Sequence, residues 1–198
     1  MGDPRRLKAK YSGPRHPWNK ARIDEEKKLI QEYGLKNKKE IYKINSKLKN
    51  YASQAKKLIA AKGKQAELEK TQLITKLSKL GLISKTAHLD DVLSLHTQNL
   101  LERRLQTIIY KKGQSRTIKQ ARQFITHGHV KINNKQIKVP SYLVTQSEET
   151  NIQFLEKSTL SNPEHPERNF EKTKITEPKK AEKKTVKKRK TRKKIIKK

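Results

Sequence analysis

Between Arg103 and Lys131 the chain sets Arg103, Arg104, Lys111, Lys112, Arg116, Lys119, Arg122 and Lys131 at spacings that gather them around one short stretch. Side chains of this kind do one sort of chemistry well. Guanidinium forks take phosphate oxygens two at a time, and lysine ammonium groups add charge that is less directional. Held on rigid elements, such a row meets successive phosphates of a polynucleotide without an ordering cost of its own. The flat alternative is an ordinary solvated face, which suffices for any one of these residues better than for the cluster.

The local pattern supplies those rigid elements. Thr97 suits an N-cap, and Leu101, Leu105, Ile108 and Ile109 share one face of a helix predicted over about 98–112 and ended by Gly113. On that helix Arg103 points away from the apolar face, with Arg104 and Lys111 along its edge. Thr117 and Gln120 form a T-x-x-Q capping box that opens a second helix, and Gly128 closes it. Ile118, Ala121 and Ile125 make its apolar face, while Lys119, Arg122 and Thr126 fall together on another. Free N–H groups at its start add to the attraction for an anion. His129 to Val139 then alternates as a β-hairpin around Asn133-Asn134, because asparagine tolerates positive φ. Segments 142–144 and 151–155 are two further candidate strands. Substituting both Lys119→Glu and Arg122→Glu is expected to weaken RNA binding and leave the fold intact.

Upstream, residues 1–20 contain three prolines, two glycines and repeated Lys and Arg, among them Arg5, Arg6 and Arg15. This reads as an extended basic arm. Tyr11, His16 and Trp18 among those cations suit stacking on unpaired bases, though Trp18 could equally anchor the arm to the helices. Helical patterning begins near Arg22 and stops at Gly34. A longer helix starts near Asn37, with Ile41, Ile44, Leu48, Tyr51, Ala55 and Leu58 alternating by three and four. Gly63 interrupts it. A third helix, about 65–80, carries Leu73, Leu77 and Leu80, and Asp90 or Asp91 starts a short turn. None of these stripes is buried alone, so packing on one another and on the following module is expected; a homodimeric coiled coil is the weaker alternative.

Composition agrees with a polyanion as partner. The chain has 198 residues and a formal charge of +31. Residues 179–198 hold thirteen Lys or Arg against one acid, Glu182, which still leaves +19 on the rest. Such a field attracts nucleic acid or an anionic surface. Only 31% of residues are apolar and 35% are charged, against roughly 45–50% (a count that also includes Gly) and 25% in ordinary domains. Cysteine is absent, which excludes disulfides and Cys-based zinc sites. No apolar run reaches membrane-spanning length, and the first residues lack a signal peptide's apolar stretch. His127 and His129 form an H-x-H pair, but no third or fourth ligand lies near, so an RNA contact or a capping role is favoured over metal. No nucleophile–base pattern or phosphate-cradling glycine loop points to catalysis, and no cofactor is expected.

The run LERRLQTIIYKKGQSRTIKQARQFITHGHVKINNKQIKVPSYLV resembles the RNA-binding module of the ribosomal S-four family. MGDPRR…PRHPW, EYGLKNKKE (32–40) and DDVLSL (90–95) resemble the archaeal branch of the small-subunit S-four proteins themselves, so the likeness covers about residues 1–155. It implies a structural, non-enzymatic, cytoplasmic component of the small ribosomal subunit. Such a protein binds small-subunit rRNA directly in its 5′ region and nucleates assembly of the subunit body. Ribosomal protein S-five and other small-subunit proteins would be neighbours, no membrane would be involved, and a place near the path by which messenger RNA enters would give influence over decoding accuracy. RNA-facing positions would be Arg103, Arg104, Arg116, Lys119, Gln120, Arg122 and His127-Gly128-His129. Two departures stand out: the cysteine zinc site of some bacterial relatives is impossible here, and the lysine tail is longer than usual.

The expected fold is α+β: an N-terminal amphipathic helical region (21–96) packed on an S-four-type module (97–156) of two helices, a β-hairpin and short strands. The arm (1–20) precedes it, and a Lys-rich, low-complexity tail (157–198), disordered when free, follows. Two other functions compete. An RNA-modifying enzyme could carry the same module but needs a catalytic domain, and a chromatin-type DNA binder would use KKRKTRKK (187–194).

Overall fold

A computed structural model describes residues 9, 11–162 and 165–167; the predicted tail beyond 167, and Arg5 and Arg6 of the arm, lie outside the described residues. Helix α1 (Lys20–Glu32) is capped by the Asn19 side chain, which accepts from the Arg22 N–H. It ends before Gly34, whose φ of +55° turns the chain where an L side chain is strained. Helix α2 (Lys38–Ala60) follows, then α3 (Lys64–Lys79) and the short α4 (Leu89–Leu93). The predicted turn at Asp90-Asp91 is α4 itself, with Asp91 accepting from the His88 N–H at 2.9 Å to complete a capping box.

The α2 stripe is buried within the chain, in two cores that follow one another along a single face of the helix. Ala55 and Leu58 join Leu73, Leu77, Val92 and Leu95 in one core, and Ile41 and Ile44 join Leu35, Leu100 and Leu101 in another. The seam thus has its partners in the same molecule, as burial of a single-helix stripe requires.

One expected element is broken. In place of a continuous helix over 98–112 there are α5 (Thr97–Glu102) and α6 (Leu105–Lys111), with Arg104 extended between them (φ −72°, ψ 141°). The N-cap of α5 is His96; Thr97 is its first helical residue, and its hydroxyl lies 2.6 Å from Asn45 Oδ1 on α2. The break has a tertiary cause. Leu105 N–H donates to the Tyr142 carbonyl at 2.8 Å, and Val144 N–H donates to the Arg103 carbonyl at 3.0 Å, forming a bridge between Arg104 and Leu143. Segment 142–144 is therefore this bridge and not a regular strand.

Helix α7 (Ile118–Thr126) starts at Thr117, whose hydroxyl accepts from the Gln120 N–H, but the expected capping box is only half formed, because Gln120 Oε1 accepts from the Arg116 N–H at 2.7 Å and not from that of Thr117. Strands β1 (Val130–Ile132) and β2 (Lys135–Gln136) form the predicted hairpin, with Asn133 and Asn134 at φ 45° and 66°. After a one-turn helix α8 (Gln146–Glu149), β3 (Ile152–Phe154) pairs antiparallel with β1, giving sheet order β2-β1-β3. Val130, Ile132, Ile152 and Phe154 turn inward onto Leu105, Ile109, Phe124 and Ile125. The module does not stop at 156: a 3-10 turn (Thr159–Ser161) folds back and buries Leu160 in this same core. One apolar side chain carries no period, which is why residues 158–162 read as tail.

Candidate nucleic-acid interface

The α6–α7 junction presents a compact cationic edge. Lys111 and Lys112 close α6, Gly113 at φ +70° reverses the chain, and Arg116 and Lys119 flank the start of α7. All four cations are exposed. Arg116 and Lys119 make no ion pair among the described residues, and Lys111 reaches Glu102 only at 3.5 Å between two exposed side chains. An exposed pair of this kind is worth roughly 0–1 kcal/mol and exchanges readily for another anion. Lys112 Nζ is closer to home, donating to the Glu149 carbonyl. Gln120 is half-buried, its amide oxygen committed to the Arg116 N–H. The edge sits on the module's apolar core described above, so its backbone positions are fixed by packing rather than by a ligand.

His127 and His129 follow at the far end of α7. Their rings lie nearly parallel, 6.2 Å apart at 16°; His127 is exposed, and His129 is half-buried against Phe124 with Nδ1 2.9 Å from the Ser158 hydroxyl. No group of three metal-ligating side chains occurs among the described residues.

Four further predicted phosphate contacts are paired with acids of the chain itself. Arg104 is withdrawn altogether: it is 1% exposed, and Nη2 donates to Glu40 Oε2 at 2.7 Å. The helix break turns it inward. Arg122 donates to the other oxygen, Glu40 Oε1, at 2.9 Å. Arg103 binds Glu149 at 2.8 Å and the Val144 carbonyl at 3.1 Å. Lys131 binds Glu156 at 2.6 Å, but that carboxylate is 85% exposed and easily exchanged. Burial opposes ionisation of Glu40, yet hydrogen bonds from Arg122 and Arg104 outweigh it and hold its carboxyl below the usual range. The Lys131 hydrogen bond lowers Glu156 likewise. These pairings correct the expectation for Arg122→Glu, which would set a second carboxylate against Glu40 and damage the fold as well as the surface.

The described part of the N-terminal arm, residues 11–19, is docked. Arg22 Nη2 donates to the Pro17 and His16 carbonyls at 2.8 and 3.2 Å, Ser12 N–H donates to Ser46 Oγ at 3.0 Å, and Lys39 lies over the Tyr11 ring. Trp18 is not the anchor; it is 91% exposed, with Arg15 also exposed nearby in sequence.

Two residues that hold the interface together escaped sequence reasoning. Gln106, 1% exposed, donates from Nε2 to the carbonyls of Gly34 at 3.1 Å and Ile118 at 3.0 Å, tying the turn after α1 to the start of α7. Its signal was an amide inside the apolar run Leu105–Ile109. Glu40 was a lone acid in a basic segment, KNKKE.

Comparisons with known proteins agree with this architecture. A model of the S4 domain family matches residues 103–149. The chain is 49% identical over 169 residues to the small ribosomal subunit protein uS4 of Methanococcus aeolicus, covering 85% of this chain and 96% of that protein. It is 48% identical to the uS4 proteins of Methanococcus maripaludis (85% of this chain, 95% of that protein) and Nanoarchaeum equitans (84% and 93%). Likeness of that extent and coverage, over the helical region as well as the module, shows that the chain belongs to the uS4 family of small ribosomal subunit proteins.

Proposed function

We propose that this protein is a structural constituent of the small ribosomal subunit that binds small-subunit rRNA through the α6–α7 edge. The observation that carries the reading is the exposed row Lys111, Lys112, Arg116 and Lys119 on a packed core, within the stretch matched by the S4 domain. Its role is architectural: the relatives are small ribosomal subunit proteins, and the open cationic edge has the form of a backbone-binding surface rather than a reaction chamber. The finer reading is direct binding in the 5′ region of the rRNA and nucleation of the subunit body. S-five as neighbour, a position by the path of incoming messenger RNA with an effect on decoding accuracy, and a cytoplasmic location complete it. The exposed Trp18 and Arg15 supply a stacking contact to unpaired bases.

Sedimentation of tagged full-length protein in a sucrose gradient, followed by crosslinking within the fractions, tests the proposal. Co-migration with small subunits and crosslinks to small-subunit rRNA from the α6–α7 edge are expected. Exclusive recovery at the top of the gradient, or crosslinks only to DNA, would refute it.

A further inference from the structure

A second cationic feature lies outside the α6–α7 edge. Between α2 and the module is a cavity of about 230 Å³ lined by Glu40, Lys43, Lys47, Arg104, Arg122 and Ser141, among others. Its polar lining is unbalanced: four cations face one carboxylate, a formal excess of +3. Glu40 uses its two oxygens on the two arginines and has little left for the lysines. Lys43 and Lys47 are exposed, one turn apart on α2, and make no ion pair among the described residues.

The floor is less satisfied still. Arg104 is 1% exposed, and its Nε and Nη1 are buried without a hydrogen-bond partner. A buried guanidinium with one acidic contact, shared with a second guanidinium, is undercompensated; such a group calls for a further anion nearby. An anion at the mouth would meet Lys43, Lys47 and Arg122 directly and feel the field of Arg104 beneath them in a medium that screens poorly.

We infer that this cavity seats one phosphate group of the bound RNA, with α2 supplying Lys43 and Lys47 and the module supplying Arg122 and the Arg104 floor. The inference rests on the RNA-binding reading above and adds to it a site that the α6–α7 edge does not contain. A phosphate here touches both parts of the molecule at once, so RNA binding would also brace their junction.

The test uses full-length protein and a structured small-subunit rRNA fragment, with affinity measured across a salt series. Lys43→Gln with Lys47→Gln is compared with Lys49→Gln plus Lys56→Gln, which removes equal charge from exposed α2 positions outside the cavity, and with Arg116→Gln plus Lys119→Gln at the edge. The cavity pair is expected to lose about tenfold in affinity and about one unit of slope in log K against log salt, as one lost phosphate contact predicts. The control pair should change little. Unchanged affinity in the cavity pair, or equal loss in the control pair, overturns the inference, while weakening by the edge pair keeps the RNA-binding reading. If neither edge nor cavity pair weakens binding, both fall. A melting series in sodium phosphate against sodium chloride of equal ionic strength separates sources. A phosphate-specific rise in Tm that the cavity pair abolishes, beside the loss in RNA affinity, means the site also takes the free ion. That loss without any rise assigns it to an RNA phosphodiester alone.

Discussion

Arg122 on α7 and Glu40 on α2, separated by 82 positions in sequence, meet through a 2.9 Å hydrogen bond, and the same carboxylate holds Arg104 at 2.7 Å. One acid thus fastens the helical region to the RNA-binding module. It also sets where those two arginines can meet RNA, because a guanidinium engaged at the junction reaches only a phosphate seated beside it.

Replacing that acid should be expensive. Glu40→Gln leaves Arg104 buried with no formal counter-charge, and breaking such a pair costs about 3 kcal/mol, the lower part of the usual range because Glu40 retains 18% exposure. Urea unfolding should show the midpoint falling with an unchanged slope. A midpoint equal to that of the parent protein would remove the junction from the list of stabilising features.

Acid should reveal the same residue. The folded-state pKa of Glu40 lies below its unfolded value, so its contribution to stability is present above the unfolded carboxylate range and is lost as pH falls through the folded value. Stability measured from neutral pH downward is therefore expected to drop in the acidic range, and less steeply in Glu40→Gln. Some acid sensitivity should persist, because Glu148 is also held low: burial raises it, but hydrogen bonds from Thr145 and Tyr142 prevail. Superimposable pH profiles for the two proteins would contradict this account.

Gly34 should not tolerate a side chain. An added Cβ would lie 2.8 Å from Ile118 Cγ2 and 3.0 Å from Gln106 Nε2, at a φ of +55°. Backbone strain and overpacking together make Gly34→Ala destabilising by about 2–3 kcal/mol. Gly113, also at positive φ but with open space around it, should lose only about 1 kcal/mol on the same change. Thermal melting of the two variants side by side tests the ranking, and a larger loss at Gly113 would reverse it.

Leu160 should behave as core. It is 4% exposed against the module's apolar cluster, so Leu160→Ala is expected to lose about 2–4 kcal/mol. Truncation after 157 should destabilise the protein relative to truncation after 162, which keeps the 3-10 turn. Chemical denaturation of the three proteins distinguishes them, and equal stability of both truncations would count against the placement of the 3-10 turn.

At the α6–α7 edge, Arg116→Gln with Lys119→Gln should weaken rRNA binding across sequences and reduce the salt slope by about two, without loss of stability. Neither side chain is engaged in an ion pair among the described residues, which makes this pair a cleaner probe than any change at Arg122.

Much was legible without coordinates because it depends on neighbours in sequence. Amphipathic spacing located α1, α2, α3 and α7, the Thr117–Gln120 cap and Gly128 bounded α7, and Asn133-Asn134 set the hairpin. Charge alone pointed to a polyanion, and the exposed edge cations stand where local pattern put them. Tertiary structure decided what depends on distant partners. The 98–112 helix contains no breaker, and only pairing of Arg103–Leu105 with 142–144 interrupts it. That interruption turned Arg104 from surface ledge to buried floor, chose Glu40 as its partner, and left Lys43 and Lys47 beside it. Local sequence fixes propensity and periodicity, which act over a few residues. Which cation stays free is an electrostatic outcome of which acid the fold brings alongside, and that acid lies 64 and 82 positions away from the two arginines.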